Sequence, residues 1–131
     1  MRYEDFVGQV QHRAQLASTG EAVGAIRATL ETLAERLTFE EARDLAAQLP
    51  KEIGIHLAIM PELHAQRFSL DEFYQLVATR EPADPLDAIH HARAVLEVLG
   101  EAVSAGEIQD ICSQLPLEFR ELIEAGKLKH D

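Results

Sequence analysis

Cysteine, tryptophan, basic residues and long apolar runs are what this chain has least of. Its 131 residues contain one cysteine and no tryptophan. The lone thiol, Cys112, excludes an intramolecular disulfide framework and a cysteine-built zinc cluster, and it fits a reducing compartment. Aromatic residues are 5% of the chain against 47% hydrophobic overall, so the core has to be aliphatic. Twelve Lys and Arg face twenty-three Asp and Glu, a formal net charge of −11. A surface of that sign repels phosphate backbones, so no nucleic-acid partner is expected. No stretch approaches the ~20 apolar residues that cross a bilayer, so no membrane partner is expected. The opening MRYEDFVGQV carries acids where a secretory signal carries an apolar run. The expected location is the cytoplasm. Glycines are scattered without a phosphate-loop pattern, and no serine sits in a GxSxG elbow. No cofactor is expected.

What is present is an internal repeat. At an offset of sixty-six, Ala22, Arg27, Ala28, Leu30, Glu31, Leu33 and Glu35 meet Ala88, Arg93, Ala94, Leu96, Glu97, Leu99 and Glu101. Glu41, Asp44, Gln48, Leu49 and Pro50 meet Glu107, Asp110, Gln114, Leu115 and Pro116. With a one-residue adjustment, Glu4-Asp5-Phe6 matches Asp71-Glu72-Phe73, and Val10 matches Val77. The chain reads as two copies of one unit, about 3–57 and 70–124, joined by a connector at about 60–68.

Each unit reads as helical. Val23, Ile26, Leu30, Leu33 and Leu37 step by three and four, as do Ile89, Ala92, Leu96, Leu99 and Val103. That spacing lays them on one helical stripe. Thr38…Glu41 and Ser104…Glu107 have the capping-box pattern, in which the hydroxyl accepts an orphan N–H and the glutamate reciprocates. Ser18…Glu21, Ser69…Glu72 and Asp84-Pro85…Asp87 open further helices, while Pro50 and Pro116 separate the third helix of each copy from the fourth. The predicted helices are about 3–16, 19–37, 39–49, 51–59, 70–79, 85–103, 105–115 and 117–125, the last capped by Gly126. The fold class expected is all-α: one domain over 1–131, with about eight helices in two four-helix repeats related by a pseudo-twofold. Two beads on a linker is the alternative. The connector is short and not Gly/Ser-rich, which favours one domain.

In their order, Glu4-Asp5-Phe6, Leu30, Leu33, Glu41-Ala42, Gln48-Leu49-Pro50, Phe68-Ser69, Glu72-Phe73 and Gln114-Leu115-Pro116 span nearly the whole chain. In this pattern the chain resembles the bacterial DUF2267 proteins. It departs from them in the apolar Ile53–Met60, where family members tend to carry a charged or aromatic-rich segment. That segment is interrupted by Gly54 and His56. The resemblance implies an all-helical duplicated fold. The family's function is unknown, so no catalytic residue is transferred.

Few constellations carry chemistry. Asp87, His90 and His91 stand at i, i+3 and i+4 and share a helix face, which is the spacing of a metal half-site. The first copy has Glu21, Gly24 and Ala25 there, so the set is not duplicated. His56 or His64, with Glu52 or Glu62, are candidates to complete it. The bland alternative is a pair of surface histidines behind an acid at a helix N-terminus. Cys112 falls on an apolar stripe with Ile108, Ile111 and Leu115 and reads as a small core residue. Glu31, Glu97, Glu35 and Glu101 read as a solvated face. Arg27 and Arg93 read as i, i+4 partners of Glu31 and Glu97 or, if both reach a seam between copies, as an anion or partner contact. Ile53–Met60, apolar nearly all round, reads as a buried strut or as a surface that a second subunit covers.

The function expected is a non-catalytic interaction or regulatory module that binds a protein partner or itself. The alternative is a small-ligand- or metal-binding protein, or an enzyme, using the Asp87/His90/His91 face.

Overall fold

Caps, prolines and aliphatic stripes divide the chain into eight α-helices in the computed structural model, which describes residues 1–130 and side chains through Ala125. They are α1 (Tyr3–Ala14), α2 (Thr19–Arg36), α3 (Phe39–Ala47), α4 (Lys51–Gly54), α5 (Leu70–Arg80), α6 (Pro85–Ala102), α7 (Ala105–Cys112) and α8 (Leu117–His130). Two 3-10 turns, Ile55–Leu57 and Pro61–Leu63, lie between α4 and α5. No strand occurs among the described residues.

The five-residue aliphatic stripes make α2 and α6 the central pair. Each runs for 18 residues. They pack on one another, α1 packs on both, α5 packs on both, and α8 lies along α6. One hydrophobic core runs through both halves, from Phe6 to Ile123. Leu30, Leu33, Leu96 and Leu99 are fully buried, each stabilising the fold by roughly 2 kcal/mol relative to exposure. Alanines between them (Ala22, Ala25, Ala28, Ala92, Ala94) are buried too and leave room for close helix approach. Phe73 lies edge-on to Phe119 at 5.0 Å and stacked near Phe68 at 6.5 Å, so the few aromatics gather in one place.

Two boundaries differ from expectation. The fourth helix stops after four residues. The chain turns 3-10 through Ile55–Leu57, and Met60 is extended ahead of Pro61, whose ring disfavours helix before it. Ile53 and Leu57 are buried, whereas Ile55 and Met60 are about 60% exposed. The apolar segment is therefore one-sided and is not buried all round. Gly54 is needed inside it, because a Cβ there would stand 2.8 Å from the Ala46 carbonyl oxygen on α3. At the other end, α8 runs through Gly126 to His130, so Gly126 does not cap it.

The connector is strapped down. Ala65 N–H donates to Leu37 O and Gln66 N–H to Glu35 O, at 2.9 and 2.8 Å. His64 Nδ1 donates to Ala34 O at 2.8 Å, and Arg36 Nε to Phe68 O at 3.1 Å. The first three bonds satisfy carbonyls at the end of α2 that the helix itself leaves open.

Polar contacts between the halves occur in pairs. Arg13 on α1 grips Glu101 on α6 in a bidentate contact of 2.6 and 2.7 Å. Arg80 on α5 reaches Glu35 on α2 at 3.0 Å and Thr32 at 2.8 Å. Glu35 and Glu101 thus bridge the halves, contrary to the expected solvated face. Arg13 also lies 3.7 Å from Glu97. Where α3 meets α7, the Thr38 N–H donates to Gln114 Oε1 at 3.2 Å, and the Ser104 N–H donates to Gln48 Oε1 at 2.8 Å. The Thr38 and Ser104 hydroxyls cap as expected, accepting from Glu41 N–H and Glu107 N–H. The reciprocal half of each capping box is made by a glutamine of the other half and not by the local glutamate. Glu41 and Glu107 are each left with a buried, unpartnered carboxyl oxygen. Burial, then neighbouring carboxylates (Asp110, Asp44 and Glu40 for Glu41; Glu41, Asp110 and Asp44 for Glu107), pushes both above the usual carboxylate range.

Candidate functional site: a cleft between two helix corners

The α1–α2 corner faces the α5–α6 corner across a cleft of about 800 Å³. Gln15, Ser18 and Glu21 line it from one corner. Glu81, Asp84, Asp87, His90 and His91 line it from the other. Ala14, Leu16, Ala17, Pro82 and Ala83 supply apolar wall.

Local chemistry builds each corner. α1 ends when Gln15 turns left-handed (φ 57°), and Leu16 N–H closes back on Gln11 O at 2.9 Å. A side chain in that conformation is uncommon, and here it sits on the cleft wall. Ser18 then caps α2, accepting from Glu21 N–H at 3.1 Å, and Glu21 accepts from Ala17 N–H at 2.9 Å. Across the cleft, α5 ends at Glu81, Pro82 follows, and Asp84 caps α6 by accepting from Leu86 N–H at 3.1 Å. Pro85 opens α6 and sets Asp87, His90 and His91 on successive turns.

The centre of the site is a carboxylate–imidazole pair. His91 Nδ1 lies 2.6 Å from Glu81 Oε1. Glu81 is only 6% exposed and His91 8%. The second Glu81 oxygen, Oε2, is buried and has no hydrogen-bond partner. Burial pushes the Glu81 carboxyl above its usual range, Asp87 adds to that, and the His91 contact pulls the other way. His90 lies beside His91, ring centres 6.1 Å apart. The cleft therefore holds four carboxyl groups and two imidazoles, with no lysine or arginine in its wall.

All three residues of the expected Asp87/His90/His91 face line this cleft. The histidines suggested as completing that face are elsewhere. His64 is buried against the end of α2, edge-on to Phe39 at 5.6 Å, beside a small apolar cavity. His56 sits near Glu31 and Arg27, and burial lowers its pKa. No group of three or more His, Cys, Asp or Glu that could hold a metal ion occurs among the described residues. Arg27 is exposed and makes the plain i, i+4 pair with Glu31 at 3.0 Å. Arg93 is exposed as well, while its expected partner Glu97 turns toward Arg13. Neither arginine lines the cleft. Cys112 is buried and its thiol is pushed up to about 11 by burial, so it is held as the neutral thiol.

Glu81 is the residue sequence reading missed. It lies past the end of a helix, where periodicity carries no information. A signal existed: at an offset of sixty-six the acid Glu81 stands against neutral Gln15, and His91 against Ala25. No helix among the described residues is long and apolar enough to cross a membrane.

No curated protein matches the chain. The family model of an uncharacterized conserved protein, DUF2267, matches residues 3–122. With all but the two ends of its sequence covered, the chain belongs to the DUF2267 family.

Proposed function

We propose that this protein is a non-catalytic binding module whose ligand seat is the cleft between the α1–α2 and α5–α6 corners. One observation carries the reading: the cavity joins an apolar wall to a buried, incompletely hydrogen-bonded Glu81–His91 pair. Small-ligand sites have this character, concave and largely apolar with a few converging polar groups. Activated nucleophiles need a base close by, and the one cysteine is a neutral thiol in the core.

We also read the chain as a single domain of two fused four-helix copies related by a pseudo-twofold. Support comes from bonds that recur between matched positions. Arg13–Glu101 has its counterpart in Arg80–Glu35, and Thr38–Gln114 has its counterpart in Ser104–Gln48. On this reading the cleft lies between two equivalent corners, and the second copy has acquired the glutamate and histidines.

The test is a two-dimensional amide NMR titration with small cationic, neutral and anionic organic compounds. Shifts clustered on residues 15–24 and 81–91 are expected with at least one class. Shifts with none of them, or only at other surfaces, overturn the reading.

A second reading, an enzyme working through Glu81 and His91, is favoured by their 2.6 Å contact. A carboxylate on Nδ1 is what orients an imidazole for proton transfer at Nε2. Turnover of a cleft-bound compound, abolished in His91→Gln, would put this reading first.

A further inference from the structure

Glu81 sets the chemistry of the cleft. One carboxyl oxygen is held by His91, and the other is buried without a donor. A buried acceptor with no donor costs stability, so it marks a place where a donor belongs. The wall cannot supply that donor from a basic side chain, because it contains no lysine or arginine.

Charge decides what kind of donor fits. The N-termini of α2 and α6 both border the cleft, and helix N-termini favour anions, each acting as roughly half a positive charge. Here both ends already carry their own acids. Ser18 and Glu21 take N–H groups at one, and Asp84 takes one at the other. Four carboxyl groups, from Glu21, Glu81, Asp84 and Asp87, outweigh about one positive charge from two helix ends. An anion is therefore repelled, and a cation with donors is attracted. The apolar wall of Leu16, Ala17, Pro82 and Ala83 asks for a hydrocarbon body behind the cationic head.

We infer that the cleft seats a small organic cation, an alkylammonium or guanidinium, whose N–H donates to the buried Oε2 of Glu81. This rests on the cleft being the ligand seat, as proposed above. The cation and the buried carboxylate stabilise each other as a charge-assisted pair. Glu21 on α2 and Asp84 and Asp87 at the start of α6 hold a second ammonium, or the outer part of the ligand. Since burial favours the protonated Glu81 carboxyl, a bound cation competes with that proton, and binding weakens as the solution is acidified.

Calorimetric titration of the intact chain with cadaverine, pentanediol and glutarate, at about 0.15 M salt to screen the acidic surface, tests this. Cadaverine should bind at least about tenfold more tightly than the diol, and glutarate should not bind. Glu81→Gln preserves the shape and an acceptor for His91 and should weaken cadaverine about tenfold or more. Asp87→Asn, on the outer wall, should weaken it severalfold, and it serves if the Glu81 variant does not fold. A blocked lysine-containing tripeptide separates sources: tighter binding than cadaverine places the cation on a partner chain, weaker binding makes it a free small molecule, and either supports the cation. Equal binding of diol and diamine, or cadaverine binding unchanged in both variants, overturns the inference. If diol or glutarate perturbs the cleft in the NMR titration and cadaverine does not, the inference fails and the ligand seat stands. If nothing perturbs the cleft, both fail.

Discussion

The α3–α7 seam and the cleft are both built where the two halves of the chain face one another, and they differ in what stands at positions sixty-six apart. At the seam the residues are the same or nearly so: Gln48 and Gln114, Thr38 and Ser104, Glu41 and Glu107. They make reciprocal backbone caps. At the cleft the residues differ: Gln15 against Glu81, Gly24 against His90, Ala25 against His91. Like pairs give reciprocal caps that use the Thr38 and Ser104 N–H groups and both glutamine oxygens, and they leave Glu41 Oε2 and Glu107 Oε1 buried without a donor. Unlike pairs put Glu81, whose Oε2 is likewise buried without a donor, in the wall of a cavity together with His90 and His91. The difference teaches that an open buried oxygen does not by itself single out the cleft; it is the divergence between matched positions that coincides with a cavity.

The strongest way to break the comparison is at the bridges that hold the halves together. Glu101→Ala strands Arg13 in a setting where the glutamate side chain is only 7% exposed, and it should lower unfolding free energy by about 3 kcal/mol. Its counterpart Glu35→Ala loosens the more exposed Arg80 and should cost about 1 kcal/mol. Urea denaturation of the two variants checks both values; equal losses would argue against burial as the cause. Next, Gln48→Ala and Gln114→Ala each remove one reciprocal cap at the seam and should each cost about 1 kcal/mol, while leaving cleft binding untouched.

A smaller effect, opposite in sign, is expected at Glu107. Its pKa and that of Glu41 are raised in the folded state. The folded protein therefore holds those protons more tightly than the unfolded chain. Stability from these groups rises as pH falls from neutrality toward the ordinary carboxylate range, and it is lost as pH rises through their folded values. Glu107→Gln should raise the melting temperature at neutral pH and flatten its dependence on pH above the ordinary carboxylate range. A lower melting temperature at neutral pH would refute this. The smallest stability effect belongs to the cleft. Asp87→Asn loses only a favourable position near a helix N-terminus, about 0.5 kcal/mol, although its effect on cation binding is severalfold. A stability loss as large as that of Glu101→Ala would turn the cleft into a structural contact like the seam.

The reading of residues in order was informative where a local rule operates. The stripes in α2 and α6 named the central helices, and Ser18, Thr38, Ser69, Asp84 and Ser104 named five helix starts. It failed where two rules competed. Ile53–Met60 is apolar enough for a buried helix, yet Pro61 and the close approach of α3 at Gly54 leave only a short turn with one exposed side. Glu35 and Glu101 carry the helical signature of solvent, because a sequence does not reveal that an arginine from another helix lies opposite. Half of the cleft was legible: the spacing of Asp87, His90 and His91 put them on one face. Their partner Glu81 was not, since a residue beyond a helix end has no period to place it.

The positions of the long helices, the caps made by Ser18, Thr38, Ser69, Asp84 and Ser104 side chains and the aliphatic character of the core were determined by the sequence alone, because these depend on neighbours within about four residues along the chain. Which carboxylates become bridges, which keeps a buried oxygen open, and that two corners enclose a cavity were decided only by tertiary structure. Those outcomes depend on what lies opposite in space, and burial changes the energy of a charged or polar group far more than any local preference does.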